Sequence, residues 1–531
     1  MLFKDFGRTI AMLTLLLVSA CASKPETPKL RAFDDQISTA TAVLTAGFSG
    51  IKDKYIDDVE LRSLATESIR GLAAIDPALT IAESAGKLTM RRHGEEIASA
   101  TIPDTQNPAA WGEMTVRLTR EASAYSRDLR YASTEAIYQA IFDGALAELD
   151  VYSRYAGAEE ADRNRQSRDG FGGIGIRFRL NNGVPIVTEV VKDGPAHRES
   201  INVGDAIIQI DGEPVADHLL RDITNRLRGT VRSIVELTVR KPSGQEQLSA
   251  MIREHIIPPT VTTSINGDLL ILKVRSFNQG TARGVASGLE EYRDNSAIRG
   301  IVLDLRGNPG GLLRQSVEVA DTFLDQGRIL DTRGRHPGSV QHYMAGGEDF
   351  ADGKPVIVLI DGRSASASEI VAAALQDSVR AVVIGTSSYG KGTVQTVIRL
   401  PNDGEMTLTW SRFVAPSGYA IHGLGVFPVL CVSDLDTTTH RAVNAALDEQ
   451  PQMSEKLNVW RHTSIDNLDQ RRDLRADCPP RRRTSNDADF DIARLLINDD
   501  DLYQRALLVS TLADEVSPNI AHARKEPQVD Q

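Results

Sequence analysis

The sequence predicts a multidomain α/β protein: a helical N-terminal region, a compact β-rich module, a core built on a largely parallel sheet, and a helical C-terminal extension. Three observations lead there. At 531 residues the chain is too long for one ordinary core. At Gly170 the texture changes from helical patterning to short β-branched runs broken by Gly, Asn and Asp. From Leu269 onward, continuous apolar runs alternate with amphipathic segments, the pattern of a sheet covered on both faces.

Composition narrows the classes. With 41% apolar and 25% charged residues the chain is globular, and a net charge of −12 disfavours nucleic acid as a partner. Arginines cluster at Arg471–Arg472 and Arg481–Arg483, but acidic residues flank both runs, so they read as solvated surface.

The first residues, MLFKDFGRTIAMLTLLLVSAC, carry Lys4 and Arg8 and then an apolar run from Ile10 to Val18. That run falls short of the about 20 apolar residues of a permanent span and reads as a secretory signal over 1–20. Val18-Ser19-Ala20-Cys21 looks like a bacterial lipobox, with Cys21 lipidated and first in the mature chain; an ordinary signal peptide with a chance cysteine is the alternative. ASKPETPK would be a tether, and Ala22 in place of aspartate favours the outer membrane under the usual sorting pattern of such lipoproteins. Localisation is therefore expected in the cell envelope, lipid-anchored and facing the periplasm. In that compartment the two remaining thiols, Cys431 and Cys478, are expected to form a disulfide, worth roughly 3–4 kcal/mol on the chain-entropy model; two buried free thiols are the alternative.

Residues 21–165 comprise the tether and a region with few strand-like runs. Thr134 to Asp150 places Ile137, Ile141, Ala145 and Leu149 on one helical stripe. SIRGLAAID resembles IFDGALAELD, either as a weak duplication or as the chance likeness of amphipathic helices. Residues 168–255 form the β-rich module, with one main helix in DHLLRDITNRLRG carrying Leu219, Ile223 and Leu227 on one face. Residues 256–430 contain the strands LLILKVRSF, GIVLDLRG, KPVIVLID and AVVIGTS. Ligand sites in such sheets gather at strand carboxyl ends, which is where DLRGNPGG, DGRSASAS and GTSSYGKG lie. Residues 431–531 read as a helical extension, broken at CPPRRRTSN, with the last dozen residues expected to be disordered.

DGRSASAS sets Ser364, Ser366 and Ser368 at alternate positions before an alanine-rich helix. Ser366 with Glu369 has capping-box spacing, so Ser366 needs no catalytic role to be there. The same position also aims helix N–H groups at whatever lies beside it, which suits an oxyanion. None of the ten histidines is a persuasive base, and His422 in SGYAIHGLG reads as structural. Lys391 in SSYGKGTVQT is the candidate base, provided burial keeps it neutral. A rival reading takes Gly385 to Lys391 as a phosphate-binding loop, but Gly392 stands where Mg²⁺ coordination needs Ser or Thr, and strand-like Thr393–Leu400 follows where a helix is required.

With these loops in hand, the sequence resembles the carboxy-terminal processing peptidases, or tail-specific proteases, from about Thr134 to Pro428. GFGGIGI, LDLRGNPGGLL, RSASASEIVAAALQD and YGKGTVQ carry the resemblance, in family order. It implies a ClpP/crotonase-like protease core with Ser366 as nucleophile, Lys391 as general base and Gln395 holding the lysine. It also implies an oxyanion hole from the N–H groups of Ala367 and a glycine of the Asn308–Gly311 loop, most naturally Gly311. No metal or organic cofactor is implied. The 168–255 module is similar to a PDZ domain, with Gly173, Ile174, Gly175 and Ile176 forming the carboxylate-cradling loop beside which a peptide with a free C-terminus would add as a strand. The implied activity is a serine endopeptidase acting on periplasmic or envelope proteins at their C-termini; a catalytically silent PDZ-bearing scaffold is the non-enzymatic alternative. PAHRESINVGD carries Glu199 and Ser200 where the family has AG, LRGTVRSIVEL departs from the usual loop, and Pro428-Val429 replaces a proline–aspartate pair. The roles of residues 30–130 and 432–531 stay open among docking, oligomer formation and adaptor contact, as do substrate identity and the resting state.

Overall fold

The computed structural model describes residues 33, 36–216, 218–433, 440–482 and 487–511. Cys21 and the rest of the leader lie outside these residues, as do the last twenty.

The core sheet has six strands in the order Val261–Asn266, Leu269–Val274, Gly300–Asp304, Val356–Ile360, Val382–Gly385 and Leu430–Cys431. Every pairing is parallel except that of the first, edge strand. Every residue of the central strands Gly300–Asp304 and Val356–Ile360 is buried, which explains their Val/Ile/Leu-rich sequences: both faces are covered. Helices Thr281–Glu291, Leu313–Asp321 and Ala367–Asp377 pack on one face.

The other face is where the C-terminal helical extension packs. Val443, Leu447, Ile492, Leu496 and Ile497 are buried against Val302, Ile357 and Leu359 of the sheet, so the late helices are its second layer. Arg471 is not solvated surface. It is 2% exposed, and its guanidinium donates to the Ala420 carbonyl at 2.5 Å.

A second sheet, antiparallel and not anticipated as such, runs Gln341–Ala345, Gly327–Arg333, Glu405–Val414 and Thr393–Arg399, with Arg154–Ala156 added on Glu405–Val414. Leu400, Met406 and Leu408 from it complete the core of the N-terminal helices.

The N-terminal region contains an antiparallel sheet of Leu79–Ser84, Lys87–Arg92 and Glu95–Thr101, against the expectation of helices with few strand-like runs. Its hairpins turn at Ala85-Gly86 and His93-Gly94, with φ of 50° and 73°, and 52° and 89°. Two-residue turns with both φ positive normally announce themselves as Asn-Gly or Asp-Gly, and here Ala and His occupy the first place. The similar segments SIRGLAAID and IFDGALAELD pack on each other: a Cβ on Gly144 would lie 2.9 Å from the Gly71 Cα. Both helices need a glycine at the crossing, which gives the shared glycine a packing reason.

In the β-rich module the strand order is Glu246–Ile252, Ile234–Arg240, Ala206–Ile210, Val184–Val190 and Ile176–Asn181, so Ile176–Asn181 is an open edge. Helix Leu220–Leu227 buries Ile223 and Leu227, whereas Leu219 caps it and is exposed, outside the expected stripe. Ser200, where the family has glycine, adopts φ +57°. The module keeps that left-handed turn with a residue that favours it less than glycine. Phe171–Gly173 pairs with Glu254–Ile256, closing the two ends of the module onto each other.

Candidate active site

Three loops meet at the carboxyl ends of adjacent parallel strands: 305–312 after Gly300–Asp304, 361–366 after Val356–Ile360, and 386–392 after Val382–Gly385. The first is held by charge. The Arg306 guanidinium grips the Asp304 carboxylate through two bonds of 2.9 Å and donates to Asp489 at 2.7 Å. Burial disfavours ionisation of both members, but the pairing prevails, holding the Asp304 carboxyl below and the Arg306 guanidinium above their ordinary pKa values. Asn308 then shapes the turn, donating to the Val274 carbonyl and accepting from the Gly310 N–H, each at 2.9 Å.

The three serines differ in task. Ser364 Oγ donates to the Leu305 carbonyl at 2.9 Å and accepts from the Asp361 N–H at 2.9 Å. Ser368 Oγ donates to the Asn308 carbonyl at 3.0 Å. Both outer serines stitch the second loop to the first. Ser366 faces a cavity of about 440 Å³ that Lys391, Gln395, Gly311, Ala367 and Phe277 also line. It is the N-cap of helix Ala367–Asp377 at φ +55°, a backbone state that a non-glycine residue holds only when its surroundings impose it.

Those surroundings are largely Glu369, whose spacing in the sequence announces only a helix cap. Its buried carboxylate accepts from the Ser366 N–H at 2.7 Å, the Lys391 N–H at 2.9 Å, the Gly390 N–H at 2.6 Å and Ser388 Oγ at 2.5 Å. One anion therefore sets the backbone of the serine and of the lysine against each other. Burial pushes its pKa above the ordinary carboxylate range, and the four donors hold that rise back. The donors that a nucleotide phosphate would need in the 386–392 loop are spent on this carboxylate, and a strand follows the loop, so the phosphate-loop reading loses its ligand groups.

Lys391 is half-buried, and its pKa is lowered first by burial and then by the Arg154 guanidinium, against the pull of Asp150 and Glu369. Its Nζ lies 4.8 Å from the centre of the Tyr152 ring. Gln395 is placed differently from expectation. Its amide nitrogen donates to Thr393 Oγ1 at 2.9 Å and Thr409 Oγ1 at 3.3 Å, with no hydrogen bond to Lys391. His422 packs its ring edge on Tyr152, and burial and Arg412 lower its pKa.

Among the described residues, the N–H groups of Ala367 and Gly311 have no acceptor within the protein, and both border the cavity. The Gly310 N–H, by contrast, is engaged by Asn308. Gly310 nonetheless has to be glycine: at φ +101°, an added Cβ would sit 2.7 Å from the Ala365 carbonyl oxygen and 2.9 Å from the Ser366 Cβ. Gly310→Ala is expected to lower kcat at least about 100-fold, with KM changed far less, because it displaces Ser366 and the Ala367 and Gly311 N–H groups, which the resemblance makes nucleophile and oxyanion hole. Steady-state kinetics on a peptide substrate check this.

Cys431 and Cys478 are bonded across 47 residues, tying the edge strand Leu430–Cys431 to the end of helix Leu468–Ala476. That helix carries Arg475, which donates to the Leu424 carbonyl and, at 3.1 and 3.2 Å, to those of Ser388 and Tyr389. The extension thus clamps the lysine loop, a role no sequence signal announced. In the β-rich module, Gly173, Ile174, Gly175 and Ile176 line a cavity of about 210 Å³ together with Leu220, Thr224 and Leu227, beside the open strand edge.

A sequence model for Peptidase family S41 matches residues 268–430, and one for the PDZ domain matches 163–240. The chain is similar to the carboxy-terminal-processing protease of Bartonella bacilliformis, 37% identical over 312 residues, covering 58% of this chain and 72% of that protein. The chain belongs to the carboxy-terminal-processing proteases of family S41. This C-terminal processing protease is also similar to a probable CtpA-like serine protease of Staphylococcus epidermidis, 30% identical over 322 residues, 60% of this chain and 64% of that one. The solved photosystem II D1 C-terminal processing protease aligns with 72% of this chain and 96% of its own at 23% identity, with a TM-score of 0.35. The protein is thus a PDZ-bearing serine peptidase of mixed α/β fold, and the scaffold reading without activity falls away.

Proposed function

We propose that the protease cleaves with a Ser366–Lys391 pair and selects substrates by their free C-termini. The observation that carries this is the single Glu369 carboxylate holding the amides of both residues at the edge of one cavity. Neutral Lys391 accepts the Ser366 hydroxyl proton as the oxygen attacks a peptide carbonyl. The Ala367 and Gly311 N–H groups stabilise the oxyanion. Lys391 gives that proton to the leaving amine and is neutral again. Its Nζ then takes a proton from water as the water oxygen attacks the acyl carbonyl, and passes it to Ser366 Oγ as the ester bond breaks and the carboxylic product leaves. Gln395 acts at one remove, through Thr393 and the strand that follows Lys391.

The PDZ cavity supplies the selection. Its loop offers backbone donors beside an open strand edge, so an extended tail can add as a strand with its carboxylate at Gly173–Ile176. Peptides with identical sequences ending in a carboxylate or an amide test this. The amide is expected to lose at least about tenfold in kcat/KM, as one charge-assisted contact is removed; equal rates would leave the PDZ domain as a cover only. Envelope substrates and an outer-membrane anchor follow from the leader. Palmitate labelling and membrane fractionation of the wild type, both lost in Cys21→Ser, are the expected results.

A further inference from the structure

The segment between the N-terminal helices and the protease sheets enters the active site and brings Asp150, Tyr152 and Arg154 to Lys391. Helix Thr134–Ala147 ends into a loop wound on one carboxylate: Asp150 accepts from the N–H groups of Tyr152 at 2.7 Å and Ser153 at 2.9 Å, and from Ser153 Oγ at 2.9 Å. Thr409 of the antiparallel sheet locks the loop in place, donating from Oγ1 to Asp150 and from its N–H to Ser153 Oγ, both at 3.2 Å. The result is a Tyr152 ring laid under the Lys391 amine, 4.8 Å from Nζ to ring centre. The ring is itself braced by the His422 ring, packed edge-to-face at 6.3 Å between centroids.

We propose that Tyr152 is a positioning residue for Lys391, its ring face being the seat on which the protonated amine rests between turnovers. This rests on the reading of Lys391 as the base. A ring face attracts an ammonium and has no comparable hold on a neutral amine. Loss of the lysine proton to solvent therefore releases Nζ from the ring and frees it for the Ser366 hydroxyl. Burial, Arg154, Asp150 and Glu369 bear on the same amine, with Arg412 and His422 beyond the ring. His422, its pKa lowered by burial, stays uncharged through the alkaline range in which lysine titrates. The N-terminal helical region thereby gains a catalytic purpose: it delivers the seat.

The test reads Ser366 directly, as the rate of labelling by a fluorophosphonate against pH, on the full chain. The rate rises with pH as Lys391 loses its proton. Removing the ring takes stabilisation from the ammonium, so Tyr152→Leu is expected to move the midpoint about half to one pH unit lower, whereas Tyr152→Phe keeps it. Tyr152 is half-buried beside an open cavity, and Tyr152→Met, which also lacks the ring, is a second route if the leucine variant melts early. An unshifted midpoint in Leu and Met, or a shift in Phe as large as theirs, overturns the seat. Lys391→Ala separates the two ideas. If that variant is inert while Tyr152→Leu is unshifted, only the seat fails; if it labels at the wild-type rate, the base fails and the seat with it.

Discussion

Ser366→Ala is expected to reduce kcat/KM on a tailed peptide by about four orders of magnitude or more, while the protein still melts cooperatively near the wild-type temperature. The two halves of this result come from different contacts. The helix start is held chiefly through Glu369 and the Ser366 N–H, which alanine retains, so the stability loss should stay near the about 1 kcal/mol of a weakened cap. The hydroxyl, by contrast, is the attacking group of the proposed mechanism. Lys391→Ala should fall nearly as far and the double variant little further, since the proposed mechanism has nucleophile and base act as a unit. Lys391→Arg should fail as well, because a guanidinium keeps its proton at any working pH. Ser364→Ala is the control. Its hydroxyl joins Leu305 and Asp361, so it should cost about 1–3 kcal/mol in stability and leave kcat within a few-fold. Full turnover by Ser366→Ala would remove this serine from the chemistry.

Glu369→Ala should be the most damaging change away from the reacting atoms. It orphans the N–H groups of Ser366, Gly390 and Lys391 and the hydroxyl of Ser388 in a site that water reaches poorly. Unmade bonds to a buried charge of this kind cost about 3–5 kcal/mol in sum, after partial rearrangement. Denaturant unfolding measures that loss, and kcat should drop at least about 100-fold in the fraction that remains folded. Glu369→Gln should recover part of the stability, since one amide oxygen still accepts, but its NH₂ faces amide donors. Normal stability with lost activity would mean that the carboxylate orients the site without supporting the fold.

Much of this site was legible because it is local. The strands end in glycine-rich loops, the serine precedes a helix at capping spacing, and the lysine lies between glycines, all within short windows of sequence. The Ala85-Gly86 and His93-Gly94 hairpins were missed because their turns lack the Asn or Asp that usually marks positive φ. The burial of Arg471 was missed because its neighbours in sequence are charged, while its neighbours in space are the Ala420 carbonyl and the core. Glu369 was half read. Capping spacing marks its bond to Ser366, but its bonds to Gly390 and Lys391 cross more than twenty residues and leave no pattern.

The amino-acid order alone thus marks which groups are candidates to react and what backbone each sits on, because turn chemistry, strand periodicity and helix capping are short-range. Which of them share a cavity, which carboxylate gathers the amides, and whose ring lies under the lysine all depend on the chain closing. Asp150 and Thr409, or Ser388 and Arg475, are brought within bonding distance only by the burial that assembles the sheets. Such contacts carry the electrostatics of the site, and electrostatics depends on distance and exclusion of water, neither of which a linear text records.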